Sequence, residues 1–548
     1  LSVKPKTEVI EILKSLVDGY EDWINFEREK SLNLDPKFEN QAEKNLTNCE
    51  TAKARMLSGI DLIDKDDKVF KSFQAANRAM QIQFAWSKKR EKNDSSSSQN
   101  LKWRPFQIGF ALMSLQGLCN GNHPDRNILD LLWFPTGGGK TEAYLLIIAF
   151  NLFFIRLKEG KTADFHHTDV IMRYTLRALT LQQFQRAASV ICAANIVRES
   201  SIENFGENNF SIGLWVGSSM TPNQIKKARQ IIDNPEDPAN PKKFNYCPAC
   251  GDRLSWKDYF VEDKASFLPN CENSSCELFE KQLPILTIDE HIFLEPPSVV
   301  FGTADKFAQL ASAKNSGNLF NRIFPPSLII QDELHLINGP LGSMTGLLET
   351  AIDLLSSKDD IRPKVLGSTA TIRQAKKQVF RLFDRDAFQF PPPGIDFTDS
   401  GFAFTETEKK GQGRLYVGIC TQGTTEKMVR ETMTGSLLQT INDERIEDTN
   451  KDAYSTNVGY FGSLKILGGA FNGIQEEGVD SSRKFASQRD ETPVTDSIVP
   501  AELNSTVSAT KLDDILNDLS KPYGHPRHQE ILLATNMISV GVDIPRLG

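Results

Sequence analysis

Three groups of residues have the types and spacing to do chemistry. The first is Thr136, Gly137, Gly138, Gly139, Lys140, Thr141 and Glu142. It follows a short apolar run, Leu129 to Phe134, and precedes an apolar helical stretch, Ala143 to Leu157. Such a run reads as a buried parallel strand. Glycines let backbone N–H groups turn toward phosphate oxygens without a Cβ in the way, and a helix N-terminus adds partial positive charge. The order predicts a phosphate-binding loop, with Lys140 on the β- and γ-phosphates of ATP and Thr141 on Mg²⁺. The second group is Asp332, Glu333 and His335, which follow the apolar run Pro326 to Ile330. Asp332 is expected to hold Mg²⁺, Glu333 to polarise the attacking water, and His335 to sense nucleotide state. This reading predicts that the strand tips at Phe134 and Gln331 lie side by side. The third group is Cys247, Cys250, Cys271 and Cys276, with 20 residues between the inner pair and 4 between the last two. Two paired thiolates can share one tetrahedral ion, so the spacing predicts a structural zinc site of Cys₄ type with no position left open for substrate.

The elements that must position these residues can be read from composition and periodicity. The chain has 548 residues, 39% hydrophobic and 24% charged, and its net charge is −8. That length suggests three or four domains, and the mix is that of an ordinary globular protein. The acidic total excludes a histone-like coat on duplex nucleic acid but leaves local basic stripes open. Eight cysteines are too sparse for a secreted disulfide scaffold. No apolar run reaches the length of a membrane span and no leader pattern opens the chain, so a cytoplasmic protein with no membrane contact is expected. Residues 1–100 read as a helical N-terminal domain, with apolar residues at helical spacing from Val9 to Leu16 and from Phe70 to Ala76, closed by a serine-rich linker. Strands and helices alternate over 101–390, predicting a covered parallel sheet. An insertion at about 225–290 carries the cysteines. Pro391, Pro392 and Pro393 mark a boundary, and 391–548 forms another α/β region with strand-like runs at Leu415–Cys420, Val458–Phe461 and Ile531–Thr535.

With these motifs in order, the sequence resembles a superfamily 2 helicase of the DExH type. Phe134 stands where the general phosphate loop has its first glycine, a shortening that this superfamily shares. Arg104, Pro105, Phe106 and Gln107 resemble the segment whose glutamine reads adenine; an amide can pair with both a donor and an acceptor on the base edge. Thr175 and Arg177, and Thr303 in Gly302–Lys306, resemble nucleic-acid motifs. Ser368, Thr369 and Thr371 resemble the hydroxyl-rich motif that couples hydrolysis to strand movement. Thr535 to Pro545 resembles the fifth motif, with Gly541 in a coupling role and Asp543 near nucleotide. The resemblance implies two RecA-like parallel-sheet lobes, with a helical N-terminal domain and a zinc-ribbon-like insertion. It also implies ATP/ADP between the lobes and single-stranded nucleic acid across both.

Asp130–Tyr144, Arg173–Ala187, Phe210–Pro222 and Phe390–Gly394 narrow the resemblance to the DrmA helicases of the DISARM antiphage defence system. That implies single-stranded DNA as ligand, a DrmB-like partner subunit, and a DNA methyltransferase of the same system. Two departures stand out. The arginine-rich sixth motif is missing before Gly548, so the second lobe is expected to be incomplete and hydrolysis weak. Val540 replaces an arginine common in related families. The remaining histidines lack ligand spacing, and Cys49, Cys119, Cys192 and Cys420 read as plain thiols. Two other functions fit the same motifs: an ATP-gated DNA clamp that does not unwind, and a scaffold whose nucleotide site only stabilises the fold.

Overall fold

The computed structural model describes the chain except residues 93–100, 136, 161–165, 175–176, 235–236, 256–267, 311, 338, 370–373, 397, 406–414, 421, 444, 494–498, 505–506, 508, 536–543, 545 and 547–548. It divides into two units, residues 1–234 with 239–406, and residues 235–238 with 407–548.

The first unit opens with three long helices, α1 (Lys6–Ser31), α2 (Glu39–Lys65) and α3 (Asp67–Lys92). Each is amphipathic. On α1 the buried residues include Val9, Leu13, Val17, Tyr20 and Ile24, one face of a 3.6-residue repeat. That face packs on α2, and α2 and α3 in turn pack on the sheet domain. Helix α2 packs on α4 (Pro105–Cys119), and α3 packs on α5 (Lys140–Glu159) and α6 (Arg177–Glu199). The crossing at Gly59 is so close that a Cβ there would lie 2.1 Å from the Leu112 carbonyl oxygen. The N-terminal helices therefore share the core of the first unit, where a separate domain was expected from the serine-rich break.

The sheet comprises β1 (Ile128–Trp133), β2 (Val170–Tyr174), β3 (Ile212–Trp215), β4 (Ile285–Leu286), β5 (Val299–Thr303), β6 (Leu328–Gln331), β7 (Lys364–Thr369) and β8 (Asp386–Phe390). Among the described residues it has eight strands in the order β4-β3-β5-β2-β6-β7-β1-β8, and every pairing is parallel. β2, β5, β6 and β7 are buried along their whole length, as a sheet covered on both faces requires. The connections add short helices α7 (Ile202–Phe205), α8 (Ile225–Ile231), α9 (Asp289–Leu294) and α10 (Ala304–Phe307), then α11 (Gly339–Leu355) and α12 (Ala375–Phe383).

A buried ionic cluster ties the N-terminal helices to β1. Arg55 of α2 donates to both oxygens of Asp130, at 2.8 and 2.9 Å, and to Asp125 at 2.8 Å. Lys364 of β7 is 2.8 Å from Asp130 and donates to the Asp125 and Ile128 carbonyls at 2.6 Å each. Burial pushes the Lys364 ammonium down to about 8.

The unit ends sixteen residues later than the triproline suggests. Residues after β8 return to the N-terminal helices. Phe402 packs on Tyr20 with ring centroids 4.6 Å apart, Ile395 N–H donates to Glu27 at 2.7 Å, and Asn45 donates to the Gly394 carbonyl at 2.9 Å.

The second unit holds α13 (Glu426–Gln439), α14 (Asp448–Tyr454), β9 (Asn457–Tyr460), α15 (Leu464–Gly473), α16 (Val479–Arg489), β10 (Ala501–Leu503), α17 (Ala509–Leu519) and β11 (Ile531–Ala534). Its strands form a parallel sheet in the order β10-β11-β9. Leu438, Leu467, Ala470, Ile474, Ile531 and Leu533 make its core. The expected strand at Leu415–Cys420 has no regular secondary structure here and pairs with no strand among the described residues. Leu415, Tyr416 and Val417 are 88%, 84% and 68% exposed.

Candidate active site

The chain leaves β1 and turns through Gly137 and Gly139, with φ of +75° and +89°, a region open to glycine at no steric cost. Gly139 caps α5, so Lys140 begins the helix. Phe134 has a clear place in this loop. Its ring stacks on Phe106 at 3.8 Å between centroids, and a Cβ on Gly138 would lie 2.4 Å from that ring. The residue in the place of a glycine thus forms the floor of the turn. Thr136 lies outside the described residues.

Two side chains from the start of α4 brace the loop. Arg104 donates to the Gly138 carbonyl at 2.7 Å, and Gln107 to the Gly139 carbonyl at 2.8 Å. The Gln107 oxygen accepts from the Arg104 N–H at 2.9 Å, and the side chain is buried. The amide assigned to adenine therefore holds loop backbone in this structure. Glu142, one turn into α5, is paired with Arg186 of α6. Thr141 is half-buried on the first turn.

The acidic group sits at the end of β6. Asp332 N–H donates to the Arg173 carbonyl at 3.0 Å; its carboxylate accepts the Glu333 N–H at 2.9 Å and the Ser368 hydroxyl. Glu333 has φ of +47°, an uncommon conformation for a residue with a side chain. It brings a carboxylate oxygen to 3.9 Å from Lys140 Nζ, which also donates to the Phe134 carbonyl at 2.9 Å. Burial and the neighbouring Asp332 push the Glu333 carboxyl up to about 7, against the pull of Lys140. Burial and Lys140 hold the His335 imidazole below its ordinary range. His335 Nδ1 lies 3.3 Å from Glu333 and 3.2 Å from the Thr369 hydroxyl.

The strand tips at Phe134 and Gln331, expected from sequence to lie side by side, are not neighbours. β7 lies between β1 and β6, and its end supplies Ser368 and Thr369, which touch the acidic group. The facing side chains bridge the gap, so Lys140, Asp332, Glu333, His335, Ser368 and Thr369 still meet. Arg173 is a further member that no motif marked. Fully buried on β2, it pairs with Glu349 of α11 through both guanidinium nitrogens, and so anchors the carbonyl that holds Asp332.

The remaining motif residues are dispersed. Thr303 is buried at the end of β5, and Lys306 of the same motif turns inward to Asp289, 3.0 Å away. Burial pushes the Asp289 carboxyl up to about 6, opposed by Lys306. Arg177 begins α6; its side chain lies outside the described residues, as do Thr175, Thr371, Val540, Gly541 and Asp543. Thr535 belongs to the second unit, where its N–H donates to the Leu503 carbonyl at 3.1 Å.

The four cysteines converge. All their sulfurs lie within 4.8 Å of one another, with Cys247 and Cys276 3.6 Å apart and Cys250 and Cys271 3.7 Å apart. Sulfurs held about 2.3 Å from one zinc ion form a tetrahedron with edges of about 3.8 Å. The thiols are free of disulfides, and burial raises Cys247 and Cys271, the latter to about 12. Gly251, at φ of +82°, makes the first knuckle turn, with Gly251 N–H donating to the Cys247 carbonyl at 2.9 Å. The donor set fits a structural zinc ion.

No protein-family model matches the chain. Among solved structures, the chain is similar to two helicases at low identity. The Mycobacterium smegmatis helicase Lhr bound to ssDNA and AMP-PNP is 14% identical with a TM-score of 0.44, over 85% of this chain and 42% of that one. The DUF1998 helicase MrfA bound to DNA and AMPPNP is 14% identical with a TM-score of 0.42, over 84% of this chain and 44% of that one. A much stronger match is to the DISARM protein DrmA of Bacillus paralicheniformis, 34% identical over 99% of this chain and 54% of that protein. The chain is therefore similar to the DISARM protein DrmA along nearly all of its length, and it spans about half the length of that protein.

Proposed function

We propose that this chain is the ATP-dependent motor part of a superfamily 2 helicase or translocase that acts on DNA in a DISARM antiphage complex. The observation that carries the reading is the 3.9 Å approach of Lys140 to Glu333 at the carboxyl ends of the central strands of a parallel sheet, with Asp332 and Ser368 beside them. A lysine, a buried carboxylate pair and a glycine turn are the parts that phosphoryl transfer from ATP requires.

In this proposal Lys140 leaves the Phe134 carbonyl for the β- and γ-phosphates, and the loop N–H groups bind their oxygens. Thr141 and Asp332 would hold Mg²⁺, which neutralises charge on the transferred phosphoryl group. Glu333 takes the proton of the attacking water. Its position near neutrality suits a general base at physiological pH. Ser368 and Thr369 contact Asp332 and His335, so they are placed to register a change in the acidic group. Thr175, Arg177, Thr303 and Thr535 are proposed as nucleic-acid contacts, Gly541 and Thr371 as coupling residues, and Asp543 as a nucleotide contact. Single-stranded DNA, a DrmB-like subunit and a DNA methyltransferase are the proposed partners, and the cytoplasm the proposed compartment. No helix among the described residues is long and apolar enough to cross a membrane.

The test is nucleotide binding and turnover, with and without single-stranded DNA. Lys140→Ala is expected to abolish both. Normal turnover by that variant, with its fold intact by circular dichroism, would refute the assignment.

A further inference from the structure

The four-cysteine insertion carries an exposed aromatic and two cations, and it is rooted at the end of the row of strand tips. β2, β5, β3 and β4 are neighbours in that order, and all are parallel. β2 leads into the first nucleic-acid motif and β5 into the next. β4 leads to Thr287, whose hydroxyl donates to the Pro241 carbonyl at 2.8 Å. Asn240 donates to the Ile231 and Ile232 carbonyls at 2.9 and 3.1 Å. The root of the insertion therefore lies on the same carboxyl edge as the motifs. Three strand spacings of about 4.8 Å separate it from β2, roughly 14 Å in all.

From that root the chain enters the first knuckle. Tyr246 and Arg253 face each other across an antiparallel bridge. Leu254 N–H donates to the Asn245 carbonyl at 2.9 Å, and Cys247 N–H to the Asp252 carbonyl at 2.7 Å. These bonds flank the Tyr246–Arg253 pair, the arrangement that brings opposite side chains closest together on one face. Alternation puts Cys247 on the other face. Burial agrees: Cys247 is buried, whereas Tyr246 is 50% exposed and Arg253 is exposed. Lys242 stands near Arg253; burial and that like charge push its ammonium down, opposed by Asp233. Neither Lys242 nor Arg253 forms a salt bridge among the described residues. The second knuckle turns to the body of the unit, with Glu277 accepting from Trp86 of α3 at 3.2 Å and Lys281 2.6 Å from Glu199 of α6.

We propose that this face of the first knuckle is a contact for single-stranded nucleic acid, with Tyr246 stacking on a base and Lys242 and Arg253 holding the flanking phosphates. An exposed aromatic ring beside cations suits a single strand, whose bases have free π-faces, and tolerates any sequence. A phosphate between Lys242 and Arg253 also relieves their repulsion. The inference rests on the nucleic-acid reading above and adds a contact outside the strand-tip motifs.

Binding of a fluorescent oligothymidylate to the whole protein, titrated at several salt concentrations, tests it. Tyr246→Ala is expected to weaken binding by about 5- to 100-fold, the loss of one stacked base, and Tyr246→Phe to keep most of the affinity. Replacing Lys242 and Arg253 together by glutamine is expected to flatten the salt dependence by about 1.4 in log–log slope, two phosphate contacts to a single strand. That double variant is an independent test, since Tyr246 adjoins Cys247. Unchanged zinc content and unchanged binding of an ATP analogue show that each variant is folded. Wild-type binding with the same affinity and slope in all variants would overturn the knuckle contact and leave the wider reading standing. Failure of the wild type to bind the probe would overturn both.

Discussion

Replacing Arg55 by methionine should destabilise the first unit although Arg55 is far from any motif in sequence. The guanidinium makes three short bonds to Asp125 and Asp130 in a buried site. Without it, two carboxylates face one ammonium, Lys364, and a buried negative charge is left uncompensated. Breaking one side of such a pair costs about 3–5 kcal/mol, roughly a 10²–10⁴-fold loss in the folded-to-unfolded ratio. The assay can be made specific to this unit, because all six tryptophans, at 23, 86, 103, 133, 215 and 256, belong to it. Urea unfolding followed by tryptophan fluorescence therefore reports the first unit alone. Adding Asp125→Asn restores one carboxylate to one ammonium and should recover a large part of the loss. Binding of a fluorescent ATP analogue should disappear over the same urea range, since Asp130 lies on the strand that delivers the phosphate loop. A loss below about 1 kcal/mol for Arg55→Met, the size of an exposed pair, would refute the reasoning.

Further outcomes follow from the same geometry. Glu333→Gln should retain binding of the ATP analogue while turnover falls by about 10²-fold or more; equal loss of both would remove Glu333 from the chemical step. Metal analysis should find one zinc per chain, and Cys247→Ser should lower that content and increase proteolysis within 240–285; full zinc content in the variant would count against the Cys₄ site. Gly138→Ala should weaken analogue binding by forcing a methyl group against the Phe134 ring, and unchanged affinity would show that the floor of the turn can yield. Asp289 gives a pH test. Its carboxyl sits at about 6 in the folded state against 3.8 unfolded, so between those values the folded state binds the extra proton. Its contribution to stability therefore falls as pH rises from about 4 to about 6, by up to about 3 kcal/mol. The stability difference between the wild type and Asp289→Asn, from the tryptophan signal, should decline over that window; a flat difference contradicts the assignment.

What could be read from sequence was what is contiguous. The phosphate loop, the acidic pair and the paired cysteines each lie within a few residues of their own partners, and turn chemistry or ligand spacing marks them. The parallel sheet was legible because its central strands are buried on both faces and so are apolar throughout. Features built from distant residues were not. Arg55 and Asp130 are separated by 75 residues, and nothing in either neighbourhood announces the other. The placement of β7 between β1 and β6 is a matter of strand order, which hydrophobic pattern does not encode. Gln107 and Lys306 carry the right side chains in recognisable motifs, yet one braces loop backbone and the other faces a buried carboxylate. Periodicity also named Leu415–Cys420 a strand from its own residues, but a strand exists only once a neighbour supplies its hydrogen bonds.

The stitching of Glu27 and Asn45 to Ile395 and Gly394 has a consequence for how the protein is made. Glu27 waits for a residue 368 positions downstream, and at roughly 5–20 residues per second the ribosome needs about 20–70 s to deliver it. Throughout that interval the Tyr20 and Trp23 side of the first helix lacks its cover. The cover for this face of the first helix therefore arrives only after Phe402 has cleared the exit tunnel.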